Sequence, residues 1–169
     1  MSARIRIVRG DLDDSRIVRL LQHHVTTAAA QTAPGSAHAL DIDGLRSPEI
    51  EFWAAWDGEA LLGFAALKAL SPDHGEIKSM HVAEARRGMG AGRALLDHLI
   101  ERARANEMRR LSLETGSRDY FRPAQALYKS RGFAECAPFA EYRPDRNSLF
   151  MTLELGTPAA SRDRVHEQA

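Results

Sequence analysis

The stretch "EIKSMHVAEARRGMGAGRALL" (Glu76–Leu96) decides how the chain folds. Its first seven residues read as a strand, and its end opens a helix that carries Leu95, Leu96, Leu99, Ile100 and Ala103 at helical spacing. Between them, Gly88, Gly90 and Gly92 stand at alternate positions behind Arg86 and Arg87. A glycine in an opening helical turn costs roughly 0.5–1 kcal/mol relative to alanine. Close helix–sheet packing accounts for one or two such glycines, but not readily for three behind two arginines. A helix start without Cβ atoms presents free N–H groups and the positive end of the helix dipole to an anion. Arg86, Arg87 and Arg93 add charge at that end. The pattern therefore favours a phosphate-bearing ligand over a packing turn.

Around this stretch the rest of the chain falls into place. "RRLSLE" (Arg109–Glu114) reads as a strand, so strand, glycine loop, helix and strand make a βαβ unit. Ligands of such units sit at the carboxyl end of the first strand. Upstream, "RIRIV" (Arg4–Val8) is a short strand, and Asp13, Asp14 and Ser15 offer N-caps to a helix bearing Ile17, Leu20, Leu21, Val25 and Ala28. From Gln31 to Pro48 periodicity fails, which predicts a long loop with at most a helical turn. "IEFWAAWDGEALLGFAALKAL" gives two strands joined at Asp57-Gly58, and "SPDHG" turns the chain into the strand that opens the glycine motif. Downstream, "PAQALYKSR" (Pro123–Arg131) is a short helix with Pro123 at its start and Gly132 at its stop. "GFAEC" and "SLFMTLEL" close the sheet. The sum is a mixed α/β sheet with helices on both faces.

The ligand is narrowed by what the loop lacks. Gly92 is followed by Arg93-Ala94, not by the Lys-Ser/Thr of a nucleotide triphosphate loop. A dinucleotide fingerprint needs glycine or alanine where Arg93 stands. Glu114 would suit a ribose-binding acid, but too little chain follows for a second mononucleotide half. The charges of the 169 residues balance to zero, which removes the bulk electrostatic case for nucleic acid or an anionic membrane. A single cysteine, Cys136, excludes an internal disulfide framework. With neither a membrane-length apolar run nor a signal-peptide core, the chain reads as a soluble, cytoplasmic protein.

Two blocks now carry a resemblance. "EIKSMHVAEARRGMGAGRALL" resembles the central motif of the GNAT superfamily of N-acetyltransferases, with its Arg/Gln-x-x-Gly-x-Gly/Ala signature on Arg87, Gly90 and Gly92. "AQALYKSRGF" is similar to the family's Ala-x-x-Leu-Tyr-x-x-x-Gly-Phe element, which falls on Ala124, Leu127, Tyr128, Gly132 and Phe133. The run from "SLETG" onward further resembles a bacterial branch, the YsnE-like group. The length suits one domain, residues 1–155, for which the resemblance implies a mostly antiparallel central sheet, while residues 156–169 show no apolar periodicity and read as a disordered tail. It implies acetyl-CoA as cosubstrate, held by Met80, His81, Val82, Arg87, Gly88, Met89, Gly90, Ala91, Gly92 and Arg93. No metal is expected. The implied partner is a small-molecule amine, with neither nucleic acid nor membrane, and a homodimer is left open.

Transfer to an amine needs a base, an oxyanion site and an acid. An alkyl ammonium near pKa ~10.4 is mostly charged at neutral pH, so a carboxylate must take its proton, directly or through water. By resemblance that base is Glu76, on the strand leading into the loop; read alone, it is as readily an exposed strand-end glutamate. The implied oxyanion donors are the Met80 and Val82 amides, where neighbouring strands splay apart. Tyr128 matches the tyrosine that protonates the departing thiolate. Many relatives carry asparagine seven positions before it, where this chain has Phe121, so the contacts on that side of the cosubstrate are in doubt.

Other residues weigh less. Alternation puts Lys78 on the face of Glu76, to pair with it or steer a substrate carboxylate, and His81 on the opposite face. His23 and His24 are adjacent on a helix and make a poor metal pair. Cys136 reads as a small buried residue, and Trp53 and Trp56 as packing groups, one of which could line the acceptor pocket. The loop from Gln31 to Pro48 and the connection "PFAEYRPDRNS" would set acceptor choice. Asp41, Asp43 and Glu49 would suit a cationic amine, and Arg143 and Arg146 an anionic group, though solvated loop charge is the stronger reading. Two alternatives stand beside a small-amine acetyltransferase: a non-catalytic acyl-CoA-binding or regulatory module, and an enzyme acting on protein lysines or N-termini.

Overall fold

A computed structural model describes residues 4–36 and 40–156. Seven strands form one sheet in the order β1-β2-β3-β4-β5-β7-β6: β1 (Arg6–Arg9), β2 (Ile50–Asp57), β3 (Ala60–Ser71), β4 (His74–Val82), β5 (Arg110–Gly116), β6 (Ala134–Glu135) and β7 (Ser148–Glu154). The helices are α1 (Ser15–Ala30), α2 (Ile42–Leu45), α3 (Ala91–Ala105) and α4 (Arg122–Ser130). Every pairing is antiparallel except β4 with β5, which closes the expected βαβ unit around α3. Asp14 caps α1 by accepting from the Arg16 amide, and Gly58 and Glu59 turn β2 into β3, one residue beyond the expected Asp57-Gly58 junction, because Asp57 still pairs with Ala60. Part of the expected tail, residues 157–169, lies outside the described residues.

Each face of the sheet has its own core. On one, Leu95, Leu96, Leu99 and Ala103 of α3 pack against Leu62, Leu67, Ile77 and Leu111. On the other, Ile17 and Leu21 of α1 pack against Phe52, Phe64 and Ala66. These side chains are almost wholly removed from water, and each large aliphatic one stabilises the fold by about 1.5–3 kcal/mol relative to exposure. The α1 side of β4, β5 and β7 is covered differently. There the connection between β6 and β7 lays Phe139 and Tyr142 against Phe150, with ring centroids 5.9 and 5.4 Å apart.

Two irregularities shape the centre. The β4–β5 ladder runs from His74↔Arg110 to Ile77↔Leu113 and stops, although β4 continues to Val82 and β5 to Gly116. On its other edge β4 carries a bulge: Phe64 pairs with His81 and Ala66 with Lys78, so Ala65 faces both Ser79 and Met80. Ser79 takes φ +53°, a left-handed conformation that costs a non-glycine residue roughly 1–2 kcal/mol. The extra residue reverses the alternation beyond it. His81, a cross-strand neighbour of Phe64, therefore shares the face of Glu76 and Lys78, while Met80 and Val82 pack toward the α3 core. Simple alternation, which set His81 opposite Glu76, fails here for that reason.

Candidate active site

The splay between β4 and β5 opens into a cavity of 760 Å³ that reaches from the start of α3 to the β6–β7 connection. Beyond Ile77 the β5-facing backbone groups of β4 have no ladder partner, so they line this cavity as bare donors and acceptors. Met80, His81 and Val82 all border it. Gly63, which sequence reasoning passed over, holds this segment in place. A Cβ on Gly63 would lie 2.4 Å from the His81 carbonyl oxygen, so only glycine lets β3 approach so closely.

At one end of the cavity stands the glycine loop. A short 3-10 turn, Glu84–Arg86, leads into Gly88 at φ +82° and Gly90 at φ +86°, with Gly90 as the N-cap of α3. Both glycines thus serve a left-handed backbone that other residues enter at a cost. The first intrahelical bond runs from the Ala94 amide to the Gly90 carbonyl, which leaves the amides of Ala91, Gly92 and Arg93 without helical acceptors. No heavy atom lies within 4 Å of a Cβ built on Gly88, so the cradle is open. Arg87 and Arg93 border the cavity, whereas Arg86 does not. Met89 turns its side chain into the α3 core instead. The arrangement fits a pyrophosphate: open donors, a positive helix end and two guanidinium groups.

Midway, Tyr128 projects from α4, 7 % exposed, with its ring edge-on to Phe133 at 6.0 Å. Burial, with a smaller contribution from the charge of Glu114, pushes its phenol up to about 12. It therefore holds its proton at any physiological pH. Phe121, in the position that carries asparagine in many relatives, fills the space over Gly116, where a Cβ would lie 2.1 Å from its ring. Gln125 donates to the Gly116 carbonyl at 2.8 Å and fixes the same turn. The wall on this side is consequently aromatic.

At the far end lies Glu76, 2 % exposed, far from the solvated strand end that its place after a turn suggested. The Tyr142 hydroxyl donates to Glu76 Oε2 (2.6 Å), and Lys78 Nζ donates to the Tyr142 oxygen (2.8 Å). Lys78 Nζ lies 3.6 Å from the same carboxylate oxygen, on the face that alternation assigned to it. Glu114 borders this end too, one step beyond the last β4–β5 pair. Tyr142 and Glu114 both lie in the run that resembles the bacterial branch, but the sequence gives neither a role in this site: Tyr142 stands in an aperiodic connection, and Glu114 suits only a ribose.

The histidines form a neutral group on the cavity wall. His24 Nδ1 lies 3.1 Å from His81 Nδ1, and His81 stacks on Phe64 with centroids 5.8 Å apart. Burial first, then the neighbouring histidines, pushes His81 down to about 3 and His24 to about 4. Among the described residues no group of three or more His, Cys, Asp or Glu could hold a metal ion. The loop charges considered for acceptor choice stand elsewhere. Asp41 caps α2, Glu49 accepts from Ser47, and none of Asp41, Asp43, Glu49, Arg143 or Arg146 borders the cavity. Trp53 and Trp56 do not border it either; Trp56 sits in the α1 core, and Trp53 packs edge-on to His98. Cys136 is half-buried, and burial raises its thiol, as befits an unreactive side chain.

Comparison with known proteins agrees with this geometry. The family model for acetyltransferases of the GNAT family matches residues 18–133. The N-acetyltransferase YsnE of Bacillus subtilis is 46% identical over 145 residues, which is 86% of this chain and 96% of that protein. The N-acetyltransferase YedL of Escherichia coli is 41% identical over the same length, covering 86% and 91%. Among solved structures, an assigned acyl-CoA N-acyltransferase of Klebsiella pneumoniae superposes with a TM-score of 0.74 at 26% identity, over 92% of this chain and all of that one. No helix of the described residues is long and apolar enough to cross a membrane. The chain belongs to the GNAT family and is an acetyl-CoA-dependent acetyltransferase.

Proposed function

We propose that the chain transfers acetyl from acetyl-CoA to a primary amine of a small molecule, by direct attack with both substrates bound. One observation carries the choice of a small acceptor: the segment after α1 is tied across to the β6–β7 connection beside the cavity. The Ser36 hydroxyl, itself buried, donates to Asp145 Oδ2 at 2.5 Å, joining the loop after α1 to the β6–β7 connection. Arg118 Nη1 adds a second tie, to the Gln31 carbonyl at 3.3 Å. Ser36 also borders the cavity, so its tie to Asp145 narrows the room beside Glu76 and favours a small amine over a polypeptide.

The residues divide the work. Gly88 to Arg93, with Arg87, would hold the pyrophosphate, while the Met80 and Val82 amides would stabilise charge on the carbonyl oxygen. Acetyl-CoA supplies the thioester whose carbon–sulfur bond is exchanged for a carbon–nitrogen bond. Glu76 takes a proton from the acceptor's ammonium group. Tyr128, kept protonated by its burial, gives its proton to the departing sulfur and regains one from the new amide nitrogen.

Calorimetry with acetyl-CoA, followed by thiol-release assays on spermidine, tyramine, phenylalanine, lysine and an N-terminal peptide, tests this reading. Wild type should bind acetyl-CoA and release thiol with a small amine, and Gly90→Trp should bind at least 100-fold more weakly. Folded wild-type protein without acetyl-CoA binding would refute it, and release with the peptide alone would favour protein acetylation.

A further inference from the structure

Glu76 is deeper in the protein than the group that stands in front of it. Glu76 as a residue is 2 % exposed, while Tyr142 is half-buried and borders the same cavity. The tyrosine is rigidly mounted. Its ring packs edge-on to Phe139 at 5.1 Å and against Phe150 at 5.4 Å. Its backbone amide donates to the Phe139 carbonyl, and Ala140 takes φ +53° in the turn between them. Packing alone would be served by phenylalanine. The hydroxyl instead sits between two charged groups, giving its hydrogen to Glu76 Oε2 and receiving one from Lys78 Nζ.

That order of donors has a chemical direction. The phenol hydrogen points at the carboxylate at 2.6 Å, so a proton arriving at the Tyr142 oxygen has a short path to Oε2. We propose that Tyr142 is a catalytic residue that relays the acceptor's proton to Glu76, an inference that rests on Glu76 being the base. As the acceptor's N–H bond breaks, its proton binds the Tyr142 oxygen. In the same motion the original phenol proton crosses to Glu76 Oε2. The amine, the phenol and the carboxyl group are then all neutral, and the amine's lone pair is free to attack. Glu76 later returns the proton to solvent.

The charges around the phenol suit a concerted passage. Burial and the two carboxylates, Glu76 and Glu114, hold its acidity far below that of a free phenol, so a standing phenolate is disfavoured. Lys78 opposes them: its ammonium donates to the phenol oxygen and lies 5.5 Å from the ring centroid, stabilising negative charge only as it develops. Lys78 thereby has a role that neither simple pairing with Glu76 nor steering of a carboxylate required.

The test compares Tyr142→Phe, Glu76→Gln and the double variant, using whichever amine of the panel above turns over fastest. Tyr142→Phe keeps the ring packing and removes only the relay. It should lower kcat by about 10–100-fold, leave acetyl-CoA affinity within twofold, and leave the melting temperature close to wild type. The double variant should be no slower than Glu76→Gln alone, because both residues serve one proton path. The wild-type rate in mixed light and heavy water should curve as two protons in flight require, and the curvature should vanish in Tyr142→Phe. If Tyr142→Phe retains the wild-type rate while Glu76→Gln is slow, Glu76 takes the proton without the phenol and the relay is overturned. If Glu76→Gln also retains it, the base assignment fails and the relay falls with it.

Discussion

Strands β4 and β5 are parallel neighbours, yet their two ends obey opposite rules. Where they pair, from His74↔Arg110 to Ile77↔Leu113, polar groups satisfy one another. His74 Nε2 meets the Ser112 hydroxyl at 2.7 Å, Ser112 meets Thr152 at 2.9 Å, and Thr152 donates to the Leu111 carbonyl. Where the strands part, backbone groups lose their ladder, a bulge sets Ser79 at positive φ, and buried charges face open space. On the mechanism proposed above, a single strand thus carries a structural half and a working half. Glu76 stands at the border, opposite Ser112 in the last paired stretch, with its carboxylate turned to the Tyr142–Lys78 pair. Unmet hydrogen-bonding capacity and backbone strain cost stability, so their concentration at one end marks where binding is to compensate them.

Substitutions at the two ends should separate these roles. The larger effect belongs to the open end. Tyr128→Phe should lower kcat by about 100-fold through loss of the acid, while calorimetry gives an unchanged acetyl-CoA affinity. A variant that turns over normally would remove Tyr128 from the chemistry and leave it as a buried packing ring. The smaller effect belongs to the closed end. Ser112→Ala strands the partners of its hydroxyl, His74 and Thr152, and should cost about 1–3 kcal/mol in urea unfolding. Its kcat should stay at the wild-type value. A large loss of turnover there would mean that the paired end shares in catalysis, and the contrast would collapse.

The sequence exposes the two ends unequally. Element order, the β2–β3 hairpin to within one residue, the βαβ unit and the start of α3 are all legible, because caps, turn residues and apolar periods act locally. The positions of Glu76 and Tyr128 in one cavity follow from the two motifs that carry the family resemblance. What stays hidden depends on contacts between distant segments. His81 is assigned to the wrong face because a bulge, not marked by any glycine, inserts one residue into the alternation. Tyr142 is overlooked because β6 is only two residues long, and the connection after it shows no period to single out one side chain. The burial of Glu76 is equally invisible. Its cover comes from residues more than sixty positions downstream. The charges of the Gln31–Pro48 loop read from sequence mainly as solvated loop charge, and the structure agrees: Asp41 caps a helix, and Ser36, which the sequence does not single out, borders the cavity beside Thr32.

The most direct test of the working half is the pH dependence of kcat/KM for wild type and Glu76→Gln, measured with the best small amine under saturating acetyl-CoA. Glutamine keeps the shape and can still accept the Tyr142 hydrogen bond, but it cannot take a proton. The account predicts that kcat and kcat/KM fall by about 100–1000-fold across the pH range, with acetyl-CoA binding retained. A Glu76→Gln enzyme with the wild-type rate and an unchanged profile would contradict it, and would return Glu76 to the structural half of the strand.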